Sequence, residues 1–332
     1  MRVIYHNHFA LFSCCIFFAM GSCTKRNEAI HTGTNIYIAG DNGNNPVLWT
    51  NGHATILSAN SGSASQVIAS GTDVYVAGEE VSKSSLLTPA GPYGQAVYWK
   101  NDIEHNVGIP SFMETSVSIA AAGSNFYVAS FDSIEVGTQA PLNGLGTGSI
   151  NAIFALGPDF YAAGSDSVGD AVYWKNGVLN VVQKGYYPTY SSGSDPSVAS
   201  LYVSGNDVYI GGFNINDQTV YWKNGVPTLV QARAGSNVSQ VRSIFVEGND
   251  VYLIGNYYGP STGGYLAPAY WKNGVEVDLR MNGAVTGQAN AIFVSGSDVY
   301  VAGQVGHSAA YWKNGVETIL TPNGSANSIF VQ

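Results

Sequence analysis

A short motif that recurs along the chain constrains its fold more than any other feature. It has the form of a strand that ends in a small residue, as in NIYIAG, DVYVAG, NFYVAS and DFYAAG, and its tyrosines lie at positions 37, 75, 127, 161, 209, 252 and 300. Their spacings run from 34 to 52 residues and average about 44, the period of four-stranded propeller blades. Seven such units predict an all-β protein in which residues 33–332 form one seven-bladed β-propeller.

A second motif, YWKNG or a variant of it, follows the first in six of the units. In the last unit we expect four strands, at Ala291–Ser295, Asp298–Gly303, Ala309–Lys313 and Val316–Leu320. Gly-x-Asp turns join the first and second strands, and Asn-Gly turns join the third and fourth. Turns this short cannot cross a blade, so both lie on one rim, named here the tight-turn rim. The longer loops, whose lengths vary, then lie on the opposite long-loop rim.

Two units depart from this pattern. The third has only Pro141-Leu142-Asn143-Gly144 in place of YWKNG, and we expect this blade to have lost its fourth strand. The first unit begins at its second strand, while the chain ends in another first-strand sequence, Ser328–Gln332. The C-terminal strand is therefore predicted to complete the first blade and close the ring, which removes free sheet edges.

The composition agrees with this fold and excludes several others. The chain is 45% hydrophobic and only 11% charged, with 40 Gly and 21 Tyr, which excludes a coiled coil and charge-rich disorder. The net charge of −9 argues against a nucleic-acid partner, because that affinity depends on clustered Lys and Arg.

The first 22 residues have the features of a signal peptide. The apolar run at residues 9–20 is too short to span a membrane. It ends in Met20-Gly21-Ser22-Cys23, which resembles a bacterial lipobox. Cys23 is predicted to carry the lipid, with residues 23–32 as a tether; plain secretion is the alternative. Since Cys14 and Cys15 leave with the peptide, the processed chain has no internal disulfide.

The VYVAG and YWKNG repeats behind this leader resemble those of uncharacterised bacterial lipoproteins, of Bacteroidetes type, with propeller repeats. The resemblance covers residues 33–332. It implies a monomeric propeller domain on an outer-membrane lipoprotein of the cell envelope, either periplasmic or surface-exposed. The motifs lie in strands and turns, so the resemblance implies no activity.

Charged residues accompany the repeat in pairs. An Asp at the start of strand two occurs together with a Lys at the end of strand three, and we expect each pair to lie opposite each other across the two strands. These pairs are Asp73 with Lys100, Asp159 with Lys175, Asp207 with Lys223, Asp250 with Lys272 and Asp298 with Lys313. A ring of five Asp suggests a cation site, but turn chemistry and ion pairing explain it more plainly. No metal or cofactor is predicted.

Aromatic residues fall into a repeating and a nonrepeating class. Six tryptophans recur in strand three, and we assign them to packing between blades. The nonrepeating aromatics of the long-loop rim are candidates for stacking on a sugar ring or a peptide, or else for packing the loops. They are Tyr93, Phe131, Tyr186, Tyr187, Tyr190, Phe213, Tyr257, Tyr258 and Tyr265.

The same rim carries the candidate charged residues. The carboxylates are Asp41, Glu79, Glu80, Asp132, Asp166, Asp170 and Asp217. A glycosidase needs two carboxyl groups facing each other about 5–10 Å apart, and the sequence selects no pair. Arg233, Arg242 and Arg280 are candidates for gripping an acidic sugar or phosphate group, and His307 is the one histidine placed on this rim.

These observations favour a noncatalytic, lipid-anchored binding module that holds a glycan or a protein on its long-loop rim. One alternative is a carbohydrate hydrolase or lyase that uses the rim acids. Another is a structural subunit of an envelope complex. We favour binding because the chain has no HExxH, GxSxG, P-loop or EF-hand pattern.

Overall fold

The computed structural model describes residues 34–81, 94–111, 117–122, 125–130, 133–136, 148–185, 195–231, 234 and 236–332. The chain divides into two units at residues 33 and 34, and the first unit, with Cys23, lies outside the described residues. The described residues contain no α-helix, and none of their helical segments is long and apolar enough to cross a membrane.

The strands form antiparallel sheets, numbered here in chain order. Sheet 1 contains β1 (Ile36–Asp41), β2 (Pro46–Thr50), β3 (His53–Ile56) and the C-terminal strand β27 (Ser325–Val331). Sheet 2 contains β4 (Gly62–Ser70), β5 (Asp73–Val81), β6 (Gly94–Lys100) and β7 (Ile103–Ser111). Sheet 3 contains β8 (Ser118–Ala122), β9 (Asn125–Ser130) and β10 (Ser133–Val136).

The remaining sheets each have four consecutive strands. Sheet 4 contains β11 (Ser149–Leu156), β12 (Asp159–Ser165), β13 (Ala171–Lys175) and β14 (Val178–Gln183). Sheet 5 contains β15 (Ser197–Ser204), β16 (Asp207–Phe213), β17 (Thr219–Lys223) and β18 (Val226–Leu229). Sheet 6 contains β19 (Asn237–Glu247), β20 (Asp250–Tyr258), a 3₁₀ turn (Pro260–Thr262), β21 (Ala267–Lys272) and β22 (Val275–Asp278). Sheet 7 contains β23 (Gly287–Ser295), β24 (Asp298–Val305), β25 (Ser308–Lys313) and β26 (Val316–Thr321).

The sheets are arranged as a β-propeller, as predicted. The innermost strands contact one another in the order β27, β4, β8, β11, β15, β19 and β23, and β23 returns to β27. Among the described residues, six sheets are complete four-stranded blades, and sheet 3, which the sequence predicts to lack its fourth strand, has three strands. The complete blades are therefore one fewer than the predicted seven units.

Sheet 3 also differs from its prediction in the position of its third strand. The strand that pairs with β9 is β10, with Ser133 opposite Ser130, whereas the sequence placed it at Pro141–Gly144, outside the described residues. Only two residues separate β9 from β10, and the β-prone SIEV segment that follows β9 forms the pairing. The Asn-Gly at 143–144 was therefore a misleading marker of the strand.

The hydrophobic core lies between neighbouring sheets. All six tryptophans are under 2% exposed, and each belongs to a cluster drawn from two sheets. Trp222 of sheet 5, for example, packs with Tyr161 and Ala163 of sheet 4. The cluster between sheets 2 and 3 has no tryptophan and consists of smaller residues such as Ala77, Val117 and Ile119. Packing between blades thus accounts for the tryptophans, as the sequence predicts.

The C-terminal strand completes sheet 1, as predicted from the sequence. β27 pairs with β1 from Ile36 opposite Val331 to Asp41 opposite Ser325. Its Ile329 and Val331 are 4% and 5% exposed and pack with Trp49 and with residues of sheet 7. The strand therefore supplies both a hydrogen-bonded edge and part of the core between the first and last sheets.

We predict that deleting residues 328–332 destabilises the whole propeller. The deletion removes the buried Ile329 and Val331, and burying a side chain of this size stabilises a fold by about 1.5–3 kcal/mol. Thermal unfolding followed by circular dichroism measures the effect, with deletion of the exposed Gln332 alone as the control. An unchanged Tm for the longer deletion would contradict closure by this strand.

The tight-turn rim repeats one hydrogen-bonded unit. In sheet 5, the Lys223 ammonium lies 2.8 Å from the Asp207 carboxylate and 5.2 Å from the centre of the Tyr209 ring. Asn224, in the left-handed region at φ 50°, donates to Asp207 Oδ1 over 2.7 Å and accepts from the Val208 amide over 2.9 Å. The YWKNG and DVY motifs are thus two halves of one structural element.

The five Lys–Asp distances are 2.6–2.9 Å. The register corrects one detail of the prediction, because each Lys lies opposite the strand-two Tyr, as Lys223 does opposite Tyr209. The Asp is two residues before that Tyr, so the ion pair runs diagonally across the strands. Sheet 1 has the neutral version, in which Asn51 Nδ2 donates to Asn35 Oδ1 over 3.0 Å.

These pairs predict a loss of stability in acid. The pKa of Asp207 is below its ordinary value, because its carboxylate accepts hydrogen bonds from the Lys223 ammonium, the larger cause, and from the Asn224 amide. A carboxyl with a lower pKa in the folded state stabilises the fold above its unfolded pKa of about 3.9, and this contribution disappears as the pH falls through the folded pKa. Urea unfolding of the wild type should therefore show stability decreasing below about pH 4.

A triple variant isolates the pairs from other carboxylates. Replacing Lys175, Lys223 and Lys272 by Gln should flatten this acid dependence, because three of the carboxylates lose the largest cause of their lowered pKa. An equally steep decrease in the variant would show that other groups cause it.

Candidate functional site

A cavity of about 480 Å³ occupies the central channel. It is lined by the innermost strands, including β11, β15, β19, β23 and β27. Its volume is within the range of small-molecule sites, about 300–1,000 Å³. Each innermost strand runs from the long-loop rim to the tight-turn rim, so the early residues of these strands line one end of the cavity and the later residues line the other.

A β-bulge near the start of the innermost strand of each complete blade shapes the long-loop end. The unpaired bulge residues of the six complete blades all line the cavity, and they are Ser65, Asn151, Ala199, Arg242, Asn290 and Asn327. The strand-two glycine beside the bulge is required there. A Cβ on Gly212, for example, would collide with the Ser197 carbonyl oxygen. This close approach explains the glycine that ends the VYVAG motif.

Bulge asparagines join each sheet to the next. Asn151 Nδ2 donates to the Val198 carbonyl over 2.7 Å, Asn290 Nδ2 to the Ala326 carbonyl over 2.9 Å, and Asn327 Nδ2 to the Ala64 carbonyl over 3.0 Å. In each case the acceptor precedes the bulge of the following sheet. These amides therefore satisfy backbone groups inside the channel and are structural.

The residue after the bulge makes a second connection. Ser200 Oγ accepts from the Ile244 amide over 3.0 Å, and Ser328 Oγ accepts from the Val67 amide over 3.1 Å. Gln66 Oε1 accepts from the Ile119 amide over 2.7 Å, which ties sheet 3 to sheet 2. The innermost strands, which have no strand partner on the channel side, are joined by side chains instead.

Arg242 is the bulge residue that differs from the others. Its side chain is exposed to the channel, and Nη2 lies 3.4 Å from Gln288 Oε1, a long contact by hydrogen-bond standards. Burial of the guanidinium among the channel walls lowers the pKa of Arg242. Among the described residues that line the cavity, it is the one with a charged side chain.

Aromatic rings form the other end of the cavity, toward the tight-turn rim. Phe154, Tyr202, Phe245, Phe293 and Phe330 occupy the same position in successive innermost strands, and neighbouring ring centres are 4.8–5.0 Å apart. We name these five residues the aromatic arc. Ile68 and Ala120 take the equivalent positions in sheets 2 and 3, so the arc does not surround the channel completely.

The predicted rim aromatics divide into exposed and buried residues. Tyr258 and Tyr265 are 43% and 53% exposed. Tyr257 is buried, and its hydroxyl donates to Asp278 Oδ1 over 2.8 Å, while Phe213 is half-buried against the core of sheets 5 and 6. These two residues contribute to packing, which is the second of the two alternatives that the sequence left open for the rim aromatics. Tyr93, Phe131, Tyr186, Tyr187 and Tyr190 lie outside the described residues.

Several predicted rim acids organise loops. Buried Glu80 accepts from Ser58 Oγ over 2.5 Å and from Asn60 Nδ2 over 2.9 Å. Buried Asp170 accepts from the Gly185 amide over 2.7 Å. Asp166 Oδ1 accepts from the Asp170 amide over 2.9 Å. These carboxylates are engaged in loop structure, which is the simpler alternative to a catalytic role.

Among the described residues, the other candidate acids lie in turns or in a strand. Asp41 caps its own turn through the Gly43 amide over 2.9 Å, and Asp217 is an exposed turn residue at φ 55°. Glu79 is a half-buried residue of β5, and Asp132 lies outside the described residues. The pKa of Glu104 is raised, mainly because its carboxyl group is partly removed from water. The negative charge of Glu80 and a hydrogen bond between Glu80 and Glu104 raise it further. Two carboxyl groups in direct contact leave no room for a sugar between them.

The basic candidates are not brought together in the cavity. Arg280 is exposed and outside the cavity lining, and its carbonyl accepts from Trp312 Nε1 over 2.7 Å. His307 is exposed in the turn between β24 and β25, and Arg233 lies outside the described residues. No group of three or more His, Cys, Asp or Glu suited to a metal ion occurs in the described part of the chain.

Apart from Arg242, the channel residues were missed at the sequence level, although a signal exists. NAIF at 151–154, RSIF at 242–245, NAIF at 290–293 and NSIF at 327–330 place a polar residue three positions before an arc aromatic. In a strand without a bulge, this spacing puts the two residues on opposite faces. The bulge changes that geometry, and it is not apparent from alternation alone.

Comparison with known proteins finds similarity only at the level of solved structures. No protein-family model matches the chain, and no curated protein matches it. The computationally designed Ika8 protein is 13% identical over 88% of this chain and 86% of its own, with a TM-score of 0.47. AztD from Citrobacter koseri is 11% identical over 90% and 97% of the two chains, with a TM-score of 0.41. Trypanosoma rangeli sialidase is 11% identical over 90% of this chain and 53% of its own, with a TM-score of 0.37. At these values the similarities carry no argument about ligand or activity.

Proposed function

We propose that this protein is a noncatalytic binding module that holds a glycan or protein ligand on its long-loop rim. The observation that carries the proposal is the difference between the two rims. The tight-turn rim repeats one ion-paired turn, with Lys–Asp distances of 2.6–2.9 Å. The long-loop rim has loops of different lengths, and it carries the exposed Tyr258 and Tyr265.

Binding is favoured over catalysis by the roles of the rim acids. Glu80, Asp166 and Asp170 accept hydrogen bonds from residues of the surrounding loops, so they are poorly placed to act on a substrate. Exposed tyrosines provide a flat apolar face together with a hydroxyl group, which suits contact with a sugar ring or a peptide. The proposed ligand therefore contacts Tyr258 and Tyr265 beside the 3₁₀ turn.

We also propose that sheet 3 is the incomplete blade of a seven-bladed ring. Two observations support this. β8 contacts both β4 and β11, and Trp174 of sheet 4 packs against Tyr127 and Ala129 of sheet 3. A lipid on Cys23 would attach this propeller to the bacterial outer membrane through residues 23–32, a proposal that rests on the lipobox-like sequence.

A glycan array probed with the full-length protein tests the proposed function. We expect saturable binding without a product detectable by mass spectrometry. Replacing Tyr258 and Tyr265 together by Ser should weaken that binding at least about tenfold, since aromatic residues dominate the energy of such contacts. Val275→Ser is the matched control, because Val275 is 68% exposed on the tight-turn rim of the same sheet.

Two results would contradict the proposal. A shortened or unsaturated product would identify an enzyme. Unchanged glycan binding by the double Tyr variant would place the site elsewhere.

A further inference from the structure

The central channel differs chemically from one end to the other. Its long-loop end has the guanidinium of Arg242, in a bulge position where three other sheets have Asn. Its opposite end has the aromatic arc, whose rings line the cavity. The exposed carboxylate of Glu247 lies near that second end. Burial of Tyr202 is the larger cause of its raised pKa, and the charge of Glu247 is the smaller one.

Arg242 differs from the other bulge residues in its charge and in the donors that it presents. The bulge asparagines donate to backbone carbonyls of the next sheet over 2.7–3.0 Å, and Arg242 Nη2 reaches a side chain of the next sheet, at Gln288 Oε1, over 3.4 Å. An Asn would make the shorter connection without placing a charge in the channel. Arginine instead offers a planar set of donors that matches a carboxylate.

The charged residues at the two ends of the cavity favour a negatively charged ligand and determine its orientation. Arg242 is the one charged residue among the described residues that line the cavity, so the cavity itself carries net positive charge. An anion at the Arg242 end is attracted by the guanidinium and kept away from Glu247. The five rings of the arc, with centres 4.8–5.0 Å apart, provide an apolar surface for the rest of the molecule.

We propose that the channel binds a small carboxylate with an apolar or aromatic body, its carboxylate on Arg242 and its body on the aromatic arc. This site is separate from the proposed rim site and goes beyond the proposed function. The cavity of about 480 Å³ accommodates such a molecule. The site uses channel residues and not the rim tyrosines, so the two proposals are tested separately.

Calorimetric titration of the full-length protein with phenylacetate and with the neutral 2-phenylacetamide tests the site. The two compounds have nearly the same shape and differ in charge. We expect the wild type to bind the acid at least about tenfold more tightly than the amide, the factor typical of a charge-assisted hydrogen bond. Arg242→Gln should abolish that preference, and Arg242→Lys should keep part of it because the charge remains.

Matched variants separate the site from general charge and from the rim. Lys184→Gln removes an exposed cation outside the cavity lining and should bind phenylacetate as the wild type does. The double Tyr258→Ser and Tyr265→Ser variant should also bind it normally, even if its glycan binding is lost. Should Arg242→Gln fail to fold, Arg242→Lys and the acid-to-amide ratio of the wild type decide the question.

The proposal is overturned by any of three results. These are equal binding of acid and amide by the wild type, equal binding of the acid by the wild type and a folded Arg242→Gln variant, or no heat of binding with phenylacetate in the millimolar range. None of these results bears on glycan binding by the rim. Conversely, a blank glycan array together with Arg242-dependent binding of phenylacetate would retain the channel site and reject glycan binding by the rim.

Discussion

Burial of apolar surface between neighbouring sheets is the interaction on which the whole structure depends. A single sheet of this chain cannot cover its own faces, and each cluster of core residues is drawn from two sheets, as Trp222 with Tyr161 and Trp49 with Tyr300 illustrate. The last of these contacts requires β27, which comes from the opposite end of the propeller sequence. Stability is thus a property of the ring, because the first sheet is incomplete until the chain has folded back to it.

The two rims of the propeller have different structural roles. The tight-turn rim sets the geometry of five blades through the Lys–Asp–Asn unit, in which Asn224 connects Val208 and Asp207. Inside the channel, bulge asparagines join one sheet to the next. With both tasks met by repeated residues, the long loops and the nonrepeating Arg242 are free to differ among blades, which is the property expected of a binding surface.

The features that were predicted correctly from the sequence are those that repeat from blade to blade. The features that were missed are those that depend on the β-bulges. Spacing and turn chemistry gave the blades, the closure and the buried tryptophans, since these follow from strand alternation and Asn-Gly turns. The β-bulges that turn Asn151 and Arg242 into the channel interrupt that alternation, so the channel was not foreseen. Tyr257 was a candidate for stacking on a ligand because it does not repeat between blades, but its hydroxyl donates to Asp278 and its ring is buried.

Native-state hydrogen exchange tests most directly whether the ring is one cooperative unit with a separate binding rim. The account predicts that inner-strand amides such as those of Val67 and Ile244, and tight-turn amides such as that of Val208, exchange only with the free energy of global unfolding. Amides beside Tyr265 on the long-loop rim should exchange through smaller local openings. Separate, graded exchange free energies for individual sheets, or faster exchange on the tight-turn rim than on the long-loop rim, would contradict it.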